Sequence, residues 1–172
     1  MKRGMAVRLI GPWDWIFLPA LICLILLVVF STPVHFGNWV LPEPVFPMVL
    51  AFTWPLIRPS TLAPLALLFL GLFCDVLWGG IMGLWTLSLM GTYGAVLLSR
   101  MLISGQESHI IFTYYLGAIL SVFILNTLFV TLDTGMVPRL FGVFEQILAT
   151  LILWPLVRAM LDRFDDVDVR FR

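Results

Sequence analysis

Charge is what this sequence has least of. Only 12% of its 172 residues are Asp, Glu, Lys or Arg, about half of the roughly 25% expected in a soluble domain. Ten basic and ten acidic residues leave no net charge, so the basic footprint of a nucleic-acid binder is missing. There are two cysteines, Cys23 and Cys74, each inside an apolar run and without CxxC spacing. That argues against a disulfide framework or a zinc site and assigns both to packing. The two histidines, His35 and His109, fall in loops expected on opposite sides of a membrane, and no HExxH, GxSxG or Walker pattern occurs. No enzymatic chemistry, cofactor or metal is therefore expected.

What fills the chain instead is hydrocarbon: 61% hydrophobic residues and a mean hydropathy of +1.05. No soluble core of this length could hide so much apolar surface, so the solvent must be lipid. Lys2, Arg3 and Arg8 precede the first apolar run as they would in a signal peptide. Residues 28–32 lack a small-residue cleavage site, however, and further apolar runs follow, which favours an uncleaved first span.

The expected architecture is one polytopic all-α membrane domain, 1–172, with helices near 15–31, 45–57, 61–78, 81–98, 110–132 and 140–160. Trp13 and Trp15 bracket Asp14 at the entry to the first, as in an interfacial aromatic belt with an N-cap acid. The second is the weak one. Its thirteen residues rise only ~20 Å as a helix, against a hydrocarbon core of about 30 Å. It also holds Pro47 and Pro55, so it reads as a short or broken span, or as a re-entrant piece covered by protein.

Charge placement arbitrates. With six crossings, Lys2, Arg3, Arg8, Arg58, Arg100, Arg158, Arg163, Arg170 and Arg172 lie inside and only Arg139 outside, nine against one. Without the second crossing the inner side keeps Lys2, Arg3, Arg8 and Arg139, four against six. The positive-inside rule prefers six spans with both termini cytoplasmic.

Asp75 is the residue that most needs a reason, because a lone acid in an apolar run is costly unless it faces protein, water or a partner. Asn126 and Glu145, on two other expected helices, lie at similar depth toward the outer side. The three could form an outward-leaning polar cluster. The plainer reading gives Asp75 the free N–H groups at residues 80–82, where the next helix opens, and gives Glu145 a place near its own helix N-terminus. Neither acid reaches the midplane, which disfavours a proton relay. Gly142, Glu145 and Ala149 share a face expected to pack against protein. Gly91 with Ala95, and Gly117 with Ser121, are small pairs four apart, expected to let helices of this chain approach closely. Gly79-Gly80 makes a connection so short that the third and fourth helices must be antiparallel neighbours.

Residues Gly71-Leu72-Phe73-Cys74-Asp75-Val76-Leu77-Trp78-Gly79, then Met82-Gly83-Leu84 and Tyr93, resemble the hallmark region of the rod shape-determining protein MreD family. The stretch from Pro42-Glu43-Pro44 to Trp54-Pro55-Leu56-Ile57-Arg58-Pro59 is similar to that family's proline-punctuated second segment. The resemblance implies a non-catalytic component of the bacterial inner membrane that serves the peptidoglycan elongation machinery (the elongasome). It implies MreC as the direct partner, with MreB, the polymerase RodA and a class B penicillin-binding transpeptidase in the wider complex, all among membrane lipid. Self-association stays open. The implied fold resembles the six-helix substrate-binding subunits of energy-coupling-factor vitamin transporters. The first span lacks the Ala-x-x-x-Ala docking pattern of those subunits, which disfavours the alternative, a binding subunit for uptake of a small vitamin-like solute. The positions carrying these expectations are Asp75, Gly71, Gly79, Gly80, Gly83, Asn126 and Glu145. On this reading Asp75→Leu weakens partner capture and leaves the bundle folded.

Overall fold

A computed structural model describes residues 8–11, 13–31, 35–36, 39–40, 42–164 and 169–171. Among them the chain is helical apart from four strands of two or three residues. A π-helical turn, Trp13–Phe17, leads into α1, Leu18–Phe30. Strands β2, His35–Phe36, and β3, Trp39–Val40, pair antiparallel in the connection to α2, Phe46–Ile57. Then come α3, Leu62–Trp78; α4, Leu84–Ile103; α5, Ser108–Thr134; α6, Leu140–Leu151; and α7, Trp154–Phe164. Strand β1, Arg8–Ile10, pairs in parallel with β4, Val169–Phe171, so the segments flanking the helices meet at one end of the bundle.

Four stretches are long and apolar enough to cross a membrane: Trp13–Phe30, Leu84–Ile103, Ser108–Thr134 and Leu140–Phe164. Phe46–Ile57 and Leu62–Trp78 are shorter apolar helices.

The weakest segment of the sequence is the centre of the molecule. All residues of α2 from Phe46 to Pro55 are buried, and Ala51, Phe52, Thr53 and Trp54 have no exposed surface. A helix that is apolar all round belongs in a protein core or in lipid, and this burial puts α2 in the core. Its few polar groups are satisfied internally: Thr53 Oγ1 donates to the Val49 carbonyl at 2.8 Å, and Trp54 Nε1 to the Trp15 carbonyl at 3.0 Å. Phe52 meets the edge of Tyr115, whose hydroxyl donates to the Thr150 carbonyl at 3.0 Å. At twelve residues α2 rises only about 18 Å. The chain enters it through the irregular residues 42–45, turning at Val45 where the Phe46 amide donates to the Pro44 carbonyl, and the Val45 amide donates to Thr150 Oγ1 at 3.1 Å. Thr150 is ten residues into α6, about 15 Å along it, so α2 begins well inside the bundle.

Several expected boundaries move. The helix expected over 140–160 is two: α6 and α7 part at Ile152 and Leu153. Pro155 has no N–H to return to the Leu151 carbonyl, and it sits instead as the second residue of a new helix, where that loss is harmless. Helix α4 starts at Leu84 rather than at residue 81, and runs on to Ile103. Gly79 (φ +60°) and Gly83 (φ +90°) hold left-handed backbone on either side of the turn, which delays the new helix by three residues. Asp14 is no N-cap: it lies within the opening π turn, and no side chain caps α1.

Candidate functional site

The lone acid of α3 is a clamp. Asp75 is 2% exposed and accepts four hydrogen bonds from the beginning of α4. The amides of Gly83 and Thr86 reach Oδ2 at 2.9 and 3.4 Å, the Trp85 amide reaches Oδ1 at 2.9 Å, and the Thr86 hydroxyl reaches Oδ2 at 3.0 Å. These amides would otherwise be orphans of a helix start, and a negative group there also meets the positive end of the helix dipole. The donors lie at 83, 85 and 86 rather than at 80–82, because α4 begins later than its hydropathy suggests.

Gly71 sets the distance. It lies one turn before Asp75 on the same face of α3, and a Cβ there would collide with the Thr86 Cα and come within 2.9 Å of its nitrogen and Oγ1. Only a residue without a side chain lets the α4 backbone come near enough for Asp75 to reach it. Gly80, by contrast, has open space around it.

Asn126 and Glu145 do not join Asp75 directly. Each converges on the first turns of α4 from a different helix. Asn126 is 7% exposed, and its amide lies 2.6 Å from Ser88 Oγ. Ser88 Oγ also lies 2.8 Å from the Leu84 carbonyl, and one hydroxyl proton cannot serve both acceptors. Turning the amide so that its NH2 donates to Ser88 resolves the conflict. In either orientation one half of this buried amide has no partner among the described residues.

Glu145 is half-buried and lines a cleft of about 390 Å³ at the hairpin end of the bundle, with Glu43, Trp78, Trp85 and Gln146. Trp78 Nε1 donates to Glu43 Oε2 at 2.5 Å, and the rings of Trp78 and Trp85 meet edge to face at 4.7 Å. Trp85 in turn packs against Phe123 of α5, so this one residue touches the Asp75 clamp through its amide and the cleft through its ring. Gly142, expected to pack against protein, opens onto the cleft, with nothing within 4 Å of a Cβ there. Two carboxylates beside two indole rings suit a cationic or amine-bearing group. The start of α2 beneath them does not suit an anion: the Val45, Phe46 and Met48 amides bond to Thr150 Oγ1, the Pro44 carbonyl and the Val45 carbonyl, and Pro47 has none.

A second opening was unexpected. Helices α4 and α5 meet through Ser88 with Asn126 and Trp85 with Phe123, but the small residues beyond do not close on one another. Ser88, Gly91, Thr92 and Ala95 face Ala118 and Ser121 across an open groove of about 310 Å³, continued by one of about 300 Å³ through Ser99 and Gly117. A Cβ at Gly91 or at Gly117 would meet nothing within 4 Å. The hydroxyls of Thr92, Ser99 and Ser121 are satisfied by carbonyls four residues back in their own helices, so the groove wall asks for no polar occupant.

Cys23 and Cys74 are buried, as free thiols. His109 stands 3.3 Å from Glu107 at the exposed start of α5, and the side chain of His35 lies outside the described residues. No three His, Cys, Asp or Glu side chains converge among the described residues.

Sequence reasoning missed Glu43, Trp85, Thr86 and Ser88. The available signals were an acid between two prolines, Pro42 and Pro44, and two tryptophans flanking the glycine turn. Comparison with protein-family models, with curated proteins and with solved structures finds no match to this chain.

Proposed function

We propose that this chain is a non-catalytic, six-crossing component of the bacterial inner membrane that serves the wall-elongation machinery, and that it captures MreC by a transmembrane helix laid into the α4–α5 groove. The observation that carries the reading is the open small-residue groove itself. Small residues let helix backbones approach closely, one of the sources of affinity between helices in lipid, and among the described residues nothing packs on Gly91 or Gly117. The groove opens at Leu84, immediately after the Asp75 clamp, so the residues that resemble the MreD hallmark build the edge on which a partner would register. The parallel pairing of β1 with β4 keeps the two ends of the helical array together. That supports an even number of crossings, as does the distribution of basic residues.

The test is a groove filler that cannot unfold the protein by crowding. Gly91→Leu adds a side chain where there is open space, so thermal stability of the purified chain should be unchanged. Co-purification of MreC with the tagged chain should fall roughly tenfold, since wedging a side chain into a packed interface costs about 1–3 kcal/mol. Normal folding with undiminished capture would count against the groove.

A second reading draws on the hairpin-end cleft: a binding subunit for a small solute carrying an amine, held by Glu43, Glu145, Trp78 and Trp85. Recovery of an ATP-binding module in the same purification, with MreC absent, would favour it.

A further inference from the structure

A third groove, of about 190 Å³, runs between α1 and α7 with α2 as its floor. Its walls are apolar: Leu18, Ile22 and Leu26 on one side, Leu156 and Met160 on the other. Its end near the β1–β4 pairing is different, because Asp14 and Arg163 both line it there. These are opposite charges on the rim of one slot, yet they form no ion pair with each other. Neither side chain has a hydrogen bond or ion pair among the described residues. Arg158 and Asp162, the neighbouring charges on α7, pair with each other at 3.0 Å and line a separate cleft.

Length identifies the kind of occupant. From Asp14 to Leu26 is twelve residues, about 18 Å at helical rise, close to the ~15 Å of one leaflet and well short of the ~30 Å that a crossing helix covers. Charge identifies its head: an anion to meet Arg163 and, beside it, a cation to meet Asp14.

We propose that this groove is a site for a zwitterionic phospholipid with a primary ammonium, of the phosphatidylethanolamine class. Its phosphate meets the Arg163 guanidinium, its ammonium donates to the Asp14 carboxylate, and one acyl chain lies along Leu18, Ile22 and Leu26. An anionic lipid finds Arg163 equally well but sets its own charge against Asp14. The site therefore selects by headgroup.

The experiment uses the full chain, reconstituted in vesicles of equal phosphatidylethanolamine and phosphatidylglycerol, released into detergent and read by native mass spectrometry for the lipid it retains. The wild-type chain should retain phosphatidylethanolamine over phosphatidylglycerol by roughly threefold, the scale of one interfacial ion pair. Asp14→Asn should equalise the two, and Arg163→Gln should lower both. Asp133→Asn, which changes net charge identically but lies at the far end of α5, should leave the preference intact. Equal retention by the wild type, a preference for phosphatidylglycerol, an unaltered preference in Asp14→Asn, or a loss in Asp133→Asn as large as that in Asp14→Asn would each overturn the proposal. Asp14 and Arg163 are exposed, so neither variant should disturb folding, which circular dichroism checks.

Discussion

Asp75→Leu should unlatch α3 from α4 and lower the stability of the bundle by about 2 to 5 kcal/mol. The lower figure takes about 0.6 kcal/mol for each of the four bonds, the average measured for hydrogen bonds between membrane helices. The upper figure applies if the amides of Gly83, Trp85 and Thr86 stay buried without acceptors, since an orphaned donor costs about 1–3 kcal/mol. The leucine also removes a charge whose burial is itself unfavourable, which is why the sum stops short of three full penalties. Denaturation in mixed micelles, followed by tryptophan fluorescence, measures the loss. Hydrogen exchange at residues 83–86 should rise more than exchange in α2, whose packing the substitution leaves alone. On the partner-site reading of the sequence this variant spares the fold, whereas the plainer reading, with Asp75 bonded to the amides that open the next helix, has it act on folding. The four acceptor contacts favour the plainer reading, so reduced partner capture by Asp75→Leu would report folding before it reported an interface. Gly91→Leu is the cleaner probe of the partner.

That choice illustrates what a sequence of this kind exposes. A lone acid in a run of leucines announces that it has a partner, and Gly-x-x-x-Asp announces that the partner comes close on one face. Neither says whether the partner is the next helix or another protein. The same gap explains the small residues of α4 and α5. Their spacing defines a face, but a face of glycine, alanine and serine looks identical whether a helix of this chain fills it or nothing does. Helix α2 was underrated for a different reason. Length arithmetic and the two prolines leave a short span and a re-entrant piece covered by protein both open, and the absence of charge does not decide between them, since α1 is as free of charge yet exposes Leu21, Ile25 and Val29. The break at Pro155 was legible on the same grounds that singled out Pro47 and Pro55. Glu43 beside Trp78 was not legible, because thirty-five residues, carrying all of α2 and α3, separate them in the chain.

Gly71→Val should be as damaging as the loss of Asp75, and the two together should be less damaging than their sum. The valine Cβ would occupy the position of the Thr86 backbone, which cannot swing aside as a flexible side chain could. Helices α3 and α4 must then move apart, and overpacking of this kind costs about 1–3 kcal/mol before any bond is lost. Separation also lengthens the bonds from Gly83, Trp85 and Thr86 to Asp75, so part of the Asp75 contribution disappears with it. A double-mutant cycle over Gly71→Val and Asp75→Leu therefore has a definite sign. The double variant should fall short of additivity by at least ~1 kcal/mol, as residues sharing one set of contacts do. Gly80→Ala, in the same turn but with open space around it, should change stability by less than ~0.5 kcal/mol. If the two losses simply add, Gly71 supports some contact other than the clamp, and close approach of α4 is not what its missing side chain provides.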